Sequence, residues 1–120
     1  MPRTALDSTP PDLTGHLVVI TGANSGLGLG LTERLAAAGA DVVMAVRNRE
    51  KGEAAAEQVR GRNPESNLRL LDCDLADLGS VRAAAQTLVD EGRAVDILIN
   101  NAGIMAVPDR RETADGFELQ

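Results

Sequence analysis

Four short apolar runs with helix-patterned segments between them constrain this chain more than any other feature. The runs are Leu17-Val18-Val19-Ile20, Val42-Val43-Met44-Ala45-Val46, Leu68 to Leu71 and Val95 to Ile99. Runs of about five residues, rich in β-branched side chains and nearly unbroken, belong to strands buried on both faces, as in a parallel sheet; half-exposed strands alternate. Arg69 and Asp96 interrupt the last two, so those strands are expected to be partly exposed. Between the runs, Leu27, Leu31, Leu35 and Ala38 recur at helical spacing and stop at Gly39. Arg49 to Arg62 is a weaker amphipath around Ala55 and Val59, ended by Gly61 and Pro64, and Val81, Ala85, Leu88 and Val89 form a third stripe closed by Gly92. Strand and helix therefore alternate, which is βαβ repetition and an α/β fold with helices on both faces of one sheet.

Composition narrows the range of functions. A chain of 120 residues fits one domain, and with 1% aromatic residues its core is made of Ala, Val, Leu and Ile. A net charge of −6 argues against a nucleic-acid or anionic-membrane partner, which needs clustered Lys and Arg. Cys73 is the single cysteine, so neither an intrachain disulfide nor a thiolate metal cluster forms, and no apolar run approaches the roughly 20 residues that span a bilayer. A cytoplasmic protein without a metal is expected. Residues 1–15, rich in Pro, Thr and Asp, read as a flexible arm ahead of a domain over 16–120. His16 reads as part of the turn before the first strand, Met44 as packing and Met105 as a loop residue. Asn100 to Arg111 reads as a loop, and Thr113 to Gln120 as the start of a helix.

The first run passes directly into Thr21-Gly22-Ala23-Asn24-Ser25-Gly26-Leu27-Gly28 and then into the first helical stripe. Glycines where a strand hands over to a helix let the backbone approach a ligand. The free N–H groups and positive end of the helix dipole there attract a pyrophosphate. A tight strand-to-helix turn also needs glycine without any ligand; placement on the first strand of a βαβ array favours the nucleotide. Gly22, Gly26 and Gly28 form G-x-x-x-G-x-G, and no Lys-Ser/Thr pair follows, so this is not the phosphate loop of an ATPase or GTPase.

The second strand ends Ala45-Val46-Arg47-Asn48-Arg49, without the carboxylate that a dinucleotide fold presents there to the ribose 2′-hydroxyl. A guanidinium at Arg47 suits a 2′-phosphate, which favours NADP over NAD; the plainer reading is a solvated strand-end arginine. The missing acid also weakens an S-adenosylmethionine site. After the third strand, Asp74 in Asp72-Cys73-Asp74-Leu75 reads either as the acceptor for an adenine amino group or as a helix cap. The fourth strand ends Asn100-Asn101-Ala102-Gly103, beside the crevice where strand order reverses.

Thr21-Gly22-x-x-x-Gly26-x-Gly28, Asp74 and Asn100-Asn101-Ala102-Gly103, in that order and spacing, resemble the short-chain dehydrogenases/reductases. The segments Gly22 to Gly28, Arg47-Asn48 and Thr113-Ala114-Asp115-Gly116-Phe117-Glu118 resemble its retinol-dehydrogenase-like branch. The resemblance implies a Rossmann-type doubly wound parallel sheet, here partial, with about four strands in order 3-2-1-4. It implies that Gly22, Gly26 and Gly28, with the backbone of Ser25 and Leu27, hold the pyrophosphate and that Arg47 holds the 2′-phosphate. Ser25 stands where some NADP-dependent members carry a second basic residue. Asp74 and the Leu75 backbone would meet adenine, and Asn101, Ala102 and Gly103 the adenine ribose, while Thr21 and Asn100 tie strands one and four together.

Hydride transfer in that family depends on a Tyr-x-x-x-Lys pair with a Ser and an Asn. This chain has no tyrosine, and its one lysine is Lys51. The expectation is therefore an NADP-binding N-terminal half, truncated before the catalytic half and inactive by itself, with an alcohol or carbonyl as substrate of the whole protein. A homo-oligomer is expected only with the missing half, and the fourth strand would be an open apolar edge. A non-catalytic dinucleotide-binding module is the alternative.

Overall fold

A computed structural model of the chain describes residues 11–103 and 109–119. The elements follow in the order β1 (Leu17–Thr21), α1 (Gly26–Ala37), β2 (Asp41–Val46), α2 (Arg49–Arg62), β3 (Asn67–Asp72), α3 (Leu78–Asp90) and β4 (Ile97–Ile99). The four strands form one parallel sheet in the order β3-β2-β1-β4, a partial doubly wound sheet whose order reverses at β1.

The unbroken apolar runs are explained by the two sides of this sheet. Val18, Ile20, Val42, Met44 and Val46 face α1 and α2 and pack with Ala36, Ala55, Ala56 and Val59. The alternate residues Leu17, Val19, Val43 and Ala45 face the other side, with Leu71 and Ala84 of α3. Period-2 geometry sends neighbours to opposite faces, so a strand covered on both must be apolar throughout. The outer strands β3 and β4 are covered less completely, and in β3 exposed and half-buried residues alternate around Arg69, which pairs with Glu91.

Small residues let the helices sit close. A methyl added at Gly52 of α2 would lie 2.8 Å from Val46 Cγ2. In α1 the buried positions are Gly28, Thr32 and Ala36, whereas Leu27 is 81% exposed, so the buried face is displaced from the leucine stripe. In α3 the buried residue is Ala84, and Val89, expected inside, is 70% exposed.

Three further boundaries differ from expectation. Among the described residues packing begins at Leu13, which is buried and donates its N–H to Ala38 O (2.8 Å), ahead of residue 16; most of the expected arm, residues 1–10, lies outside the described residues, as does Met105. The strand expected from Val95 starts at Ile97, because Asp96 is taken up by β1: its N–H donates to Leu17 O and its carboxylate accepts from Leu17 N–H at 2.7 Å. Residues 111–119 do not form a helix. Glu112 and Glu118 bridge antiparallel, Gly116 adopts φ +85°, and Thr113 Oγ1 accepts from the N–H groups of Asp115 and Phe117. A threonine side chain that competes for backbone donors, with glycine in the left-handed region, makes a tight hairpin in place of a helix.

Candidate functional site

At the C-terminal edge of the sheet, the segments after β1, β2, β3 and β4 and the hairpin at 111–119 enclose a cleft of about 940 Å³. The turn after β1 forms its floor. Gly22, at φ +63°, donates its N–H to Ala45 O of β2 (3.1 Å), and a methyl there would lie 3.0 Å from Ala102 Cα. Thr21 Oγ1 accepts from the N–H groups of Asn101 and Ala102, both at 3.0 Å, and Asn101 Nδ2 donates to Gly22 O at 3.2 Å. Thr21 therefore joins β1 to the chain leaving β4. Gly28, in the first turn of α1, lies so close beneath Gly22 that an added methyl would fall 2.1 Å from Gly22 O.

The helix N-termini around the cleft differ. Asn48 caps α2 by accepting from Lys51 N–H (3.0 Å), and Asp77 caps α3 by accepting from Gly79 N–H (2.9 Å). Ser25 at the head of α1 makes no side-chain cap, and the first turn of α1 holds no acid. The first N–H groups of a helix have no intrahelical partner, so these donors and the positive dipole end suit an anion.

At the end of β2, Arg49 is engaged by Asp72 (3.0 Å) and Glu53 (3.5 Å). Arg47 and Lys51 both line the cleft, and neither side chain has an ion-pair partner among the described residues. After β3, Cys73 donates its N–H to Val46 O (3.0 Å), Asp74 N–H donates to Ser80 Oγ (2.8 Å), and Asp74 Oδ1 accepts from Ala76 N–H (3.0 Å). Asp74 thus braces its own loop with one carboxylate oxygen and still borders the cleft.

Of the residues singled out in the sequence, Gly22, Ser25, Arg47, Asp74, Leu75, Asn101, Ala102 and Gly103 line this cleft. Gly26, Leu27 and Gly28, in the first turn of α1, are not among its lining residues. Lining residues that sequence reasoning passed over include Asn24, Asn48, Lys51, Cys73, Thr113 and Phe117. Lys51 was findable, since it is the one lysine of the chain and stands at the start of the helical segment that follows the second strand.

Burial pushes the Cys73 thiol above the usual cysteine range, and the neighbouring Asp74 carboxylate adds to the shift. A raised pKa leaves less thiolate at any given pH, so alkylation of Cys73 by iodoacetamide should be slower than that of a free thiol, with its pH–rate profile displaced upward. Alkylation timed across pH checks this.

The family model for short chain dehydrogenases matches residues 16–118. The chain belongs to the short-chain dehydrogenase family. It is 43% identical over 108 residues to retinol dehydrogenase 13 of Homo sapiens, covering 90% of this chain and 32% of that protein. Among solved structures, an uncharacterized protein from Mycobacterium paratuberculosis superposes with a TM-score of 0.74 at 48% identity, covering 90% of this chain and 37% of the other. The N-domain of a bacterial malonyl-CoA reductase, solved with NADP, gives 0.72 at 36% identity, covering 79% of this chain and 18% of that one. The chain spans about a third of the length of the curated relatives it matches. Short-chain dehydrogenases are oxidoreductases that use nicotinamide dinucleotides on small alcohol or carbonyl substrates. Among the described residues of this member, no helix is long and apolar enough to cross a membrane.

Proposed function

We propose that residues 16–120 are the NADP-binding portion of a short-chain oxidoreductase, and that this chain alone binds the cofactor without turning substrate over. In the whole protein, hydride would pass between NADP(H) and an alcohol or carbonyl, and any homo-oligomer would involve the remainder of that protein. A cytoplasmic setting fits the single free cysteine. The observation that carries the cofactor assignment is the pair of Arg47, just after β2, where an NAD site presents a carboxylate, and Lys51, in the first turn of α2, both on the cleft.

The residues fit the group in chemistry as well as in placement. The uncapped start of α1 offers N–H donors to a pyrophosphate, and Gly22 and Gly28 allow the turn to lie close against β1 and the chain after β4. Arg47 and Lys51 answer the extra negative charge of a 2′-phosphate, and Asp74 and Leu75 border the adenine end. The nicotinamide supplies the hydride when bound, whereas the chain's own part is to bind and orient. The phenol that the family uses to move the proton is not among these residues, since the sequence has no tyrosine.

Fluorescence titration of the 120-residue chain with NADPH and with NADH tests the proposal. One charge-assisted contact to the 2′-phosphate favours NADPH by about 10- to 150-fold. No oxidation of an alcohol or reduction of a carbonyl should accompany binding. Equal affinity for the two cofactors, or turnover by this chain alone, would contradict the proposal.

A further inference from the structure

The hairpin over 111–119 forms one wall of the cleft, although twenty residues separate it from α3 and it belongs to neither the sheet nor its helices. Its internal bonds make it a unit. Thr113 N–H donates to Phe117 O (2.6 Å), Gly116 N–H to Thr113 O (3.0 Å), and Leu119 N–H to Arg111 O (2.7 Å). At its tip, Asp115 Oδ2 accepts from Leu78 N–H at 2.8 Å, across 37 positions of sequence. Leu78 is the first residue of α3, and a first-turn N–H has no acceptor within its own helix. The local cap Asp77 bonds Gly79 instead, which leaves the Leu78 donor to Asp115.

Two carboxylates therefore serve one helix start, and only one of them is local. Asp77 satisfies the helix, and Asp115 joins the helix to the hairpin. Leu78 and Asp115 both border the cleft, as do Leu75 on the α3 side and Phe117 on the hairpin side. Leu75 is 50% and Phe117 60% exposed, so each offers apolar surface toward a ligand.

We propose that Asp115 is a positioning residue: its bond to Leu78 N–H latches the hairpin to α3 and holds Phe117 as an apolar wall of the cleft, against which a bound dinucleotide packs. This rests on the dinucleotide reading for what the cleft holds, but not for the latch itself. A carboxylate at a helix N-terminus gains from the dipole as well as from the hydrogen bond, and an aromatic ring gains from covering a planar base.

Amide hydrogen exchange at Leu78 reports the latch directly, because that amide has no other acceptor in the helix. In the 120-residue chain, Asp115→Ala should speed Leu78 exchange about 10-fold, and Asp115→Asn, whose amide oxygen still accepts, should keep it within about threefold of the parent. Trypsin cleavage after Arg110 and Arg111 should accelerate in Asp115→Ala but not in Asp115→Asn. The NADPH Kd should rise about 5- to 10-fold in Asp115→Ala and in Phe117→Ala, with Leu78 protection kept in the latter. Asp77→Ala, by contrast, should lower the thermal midpoint and leave the Kd within about twofold, since Asp77 does not border the cleft.

Unchanged Leu78 exchange in Asp115→Ala overturns the latch. Lost protection with unaltered NADPH affinity in both Asp115→Ala and Phe117→Ala overturns the wall. If Asp115→Ala does not fold, the parent chain decides: a Leu78 amide exchanging at the rate of an unstructured peptide overturns the latch. A folded parent that binds no dinucleotide removes the proposed function, and the exchange measurement still judges the latch.

Discussion

Gly28→Ala is expected to cost this chain both its stability and its cofactor site. The added Cβ would meet Gly22 O at 2.1 Å, Asn101 Nδ2 at 2.6 Å and Gly22 C at 2.9 Å. Two of these three atoms are backbone, so no side-chain rotation relieves the overlap. Either α1 retreats from the sheet or the turn at Gly22 shifts, and the turn is itself held by Ala45 O and the Asn101 amide. Overpacking a well-filled interior costs about 1 to 3 kcal/mol, and a backbone clash belongs at or above the top of that range. For a domain near this size, a loss of about 3 kcal/mol lowers the thermal midpoint by roughly 10 to 20 °C. NADPH affinity should fall by about 100-fold or more, because the same displacement moves the N–H groups at the head of α1.

Gly30→Ala is the matched comparison. It lies in the same helix with nothing within 4 Å of the added methyl. There the usual helix preference for alanine applies, and stability should rise by about 0.5 to 1 kcal/mol. Thermal unfolding followed by circular dichroism separates the pair. A Gly28→Ala protein as stable as its parent would show that α1 does not bear on Gly22 as described.

Arg47→Ala and Lys51→Ala are each expected to cut the preference for NADPH and leave NADH almost untouched. Each contact to a 2′-phosphate is worth about 1.5 to 3 kcal/mol, so a single substitution should weaken NADPH about 10- to 150-fold and change NADH by no more than about twofold. The double variant should lose more than either, though less than the product, since both charges act on one group. Arg47→Asp goes further, placing at the end of β2 the carboxylate that suits a ribose 2′-hydroxyl, and should favour NADH outright. Because Arg47 and Lys51 are both exposed, the parent's preference should shrink with added salt. An equal loss of NADPH and NADH in Arg47→Ala would mean that the residue supports the cleft without reading the phosphate.

The order of elements and the parallel sheet were legible because long apolar runs and Gly-rich junctions carry strong signals, and the strand order came with the family resemblance. The helical faces were less so. Periodicity follows large apolar side chains, and in α1 the closest approach to the sheet is made by Gly28, Thr32 and Ala36, whose smallness is what permits it. Thr32 even directs its hydroxyl back to Gly28 O at 2.8 Å, so a polar side chain sits fully buried with its donor satisfied. The cleft residues at strand ends were readable from the turn pattern and the family resemblance. The wall at Thr113 and Phe117 was not, because its place depends on a hydrogen bond between Asp115 and Leu78 that no local pattern announces. The segment was instead read as helical, and Gly116 with Thr113 sent it into a hairpin.

The bonds that close β4 onto β1 bear on how the chain acquires this structure. Leu17 to Asp96 spans 79 positions, Thr21 to Asn101 spans 80 and Arg93 to Gly15 spans 78. The β1–β2 ladder, by contrast, needs only the short α1 excursion between its strands. Entropy lost in closing a loop grows as about (3/2)RT ln n and must be met before the distant contacts give anything back. Contacts of such long range make α/β domains fold more slowly than helical bundles, which fold in microseconds to milliseconds. On a ribosome, β1 would lie unpaired along one side until nearly a hundred residues had emerged, and the contacts that bring Asn101 and Ala102 against Gly22 would form only after that.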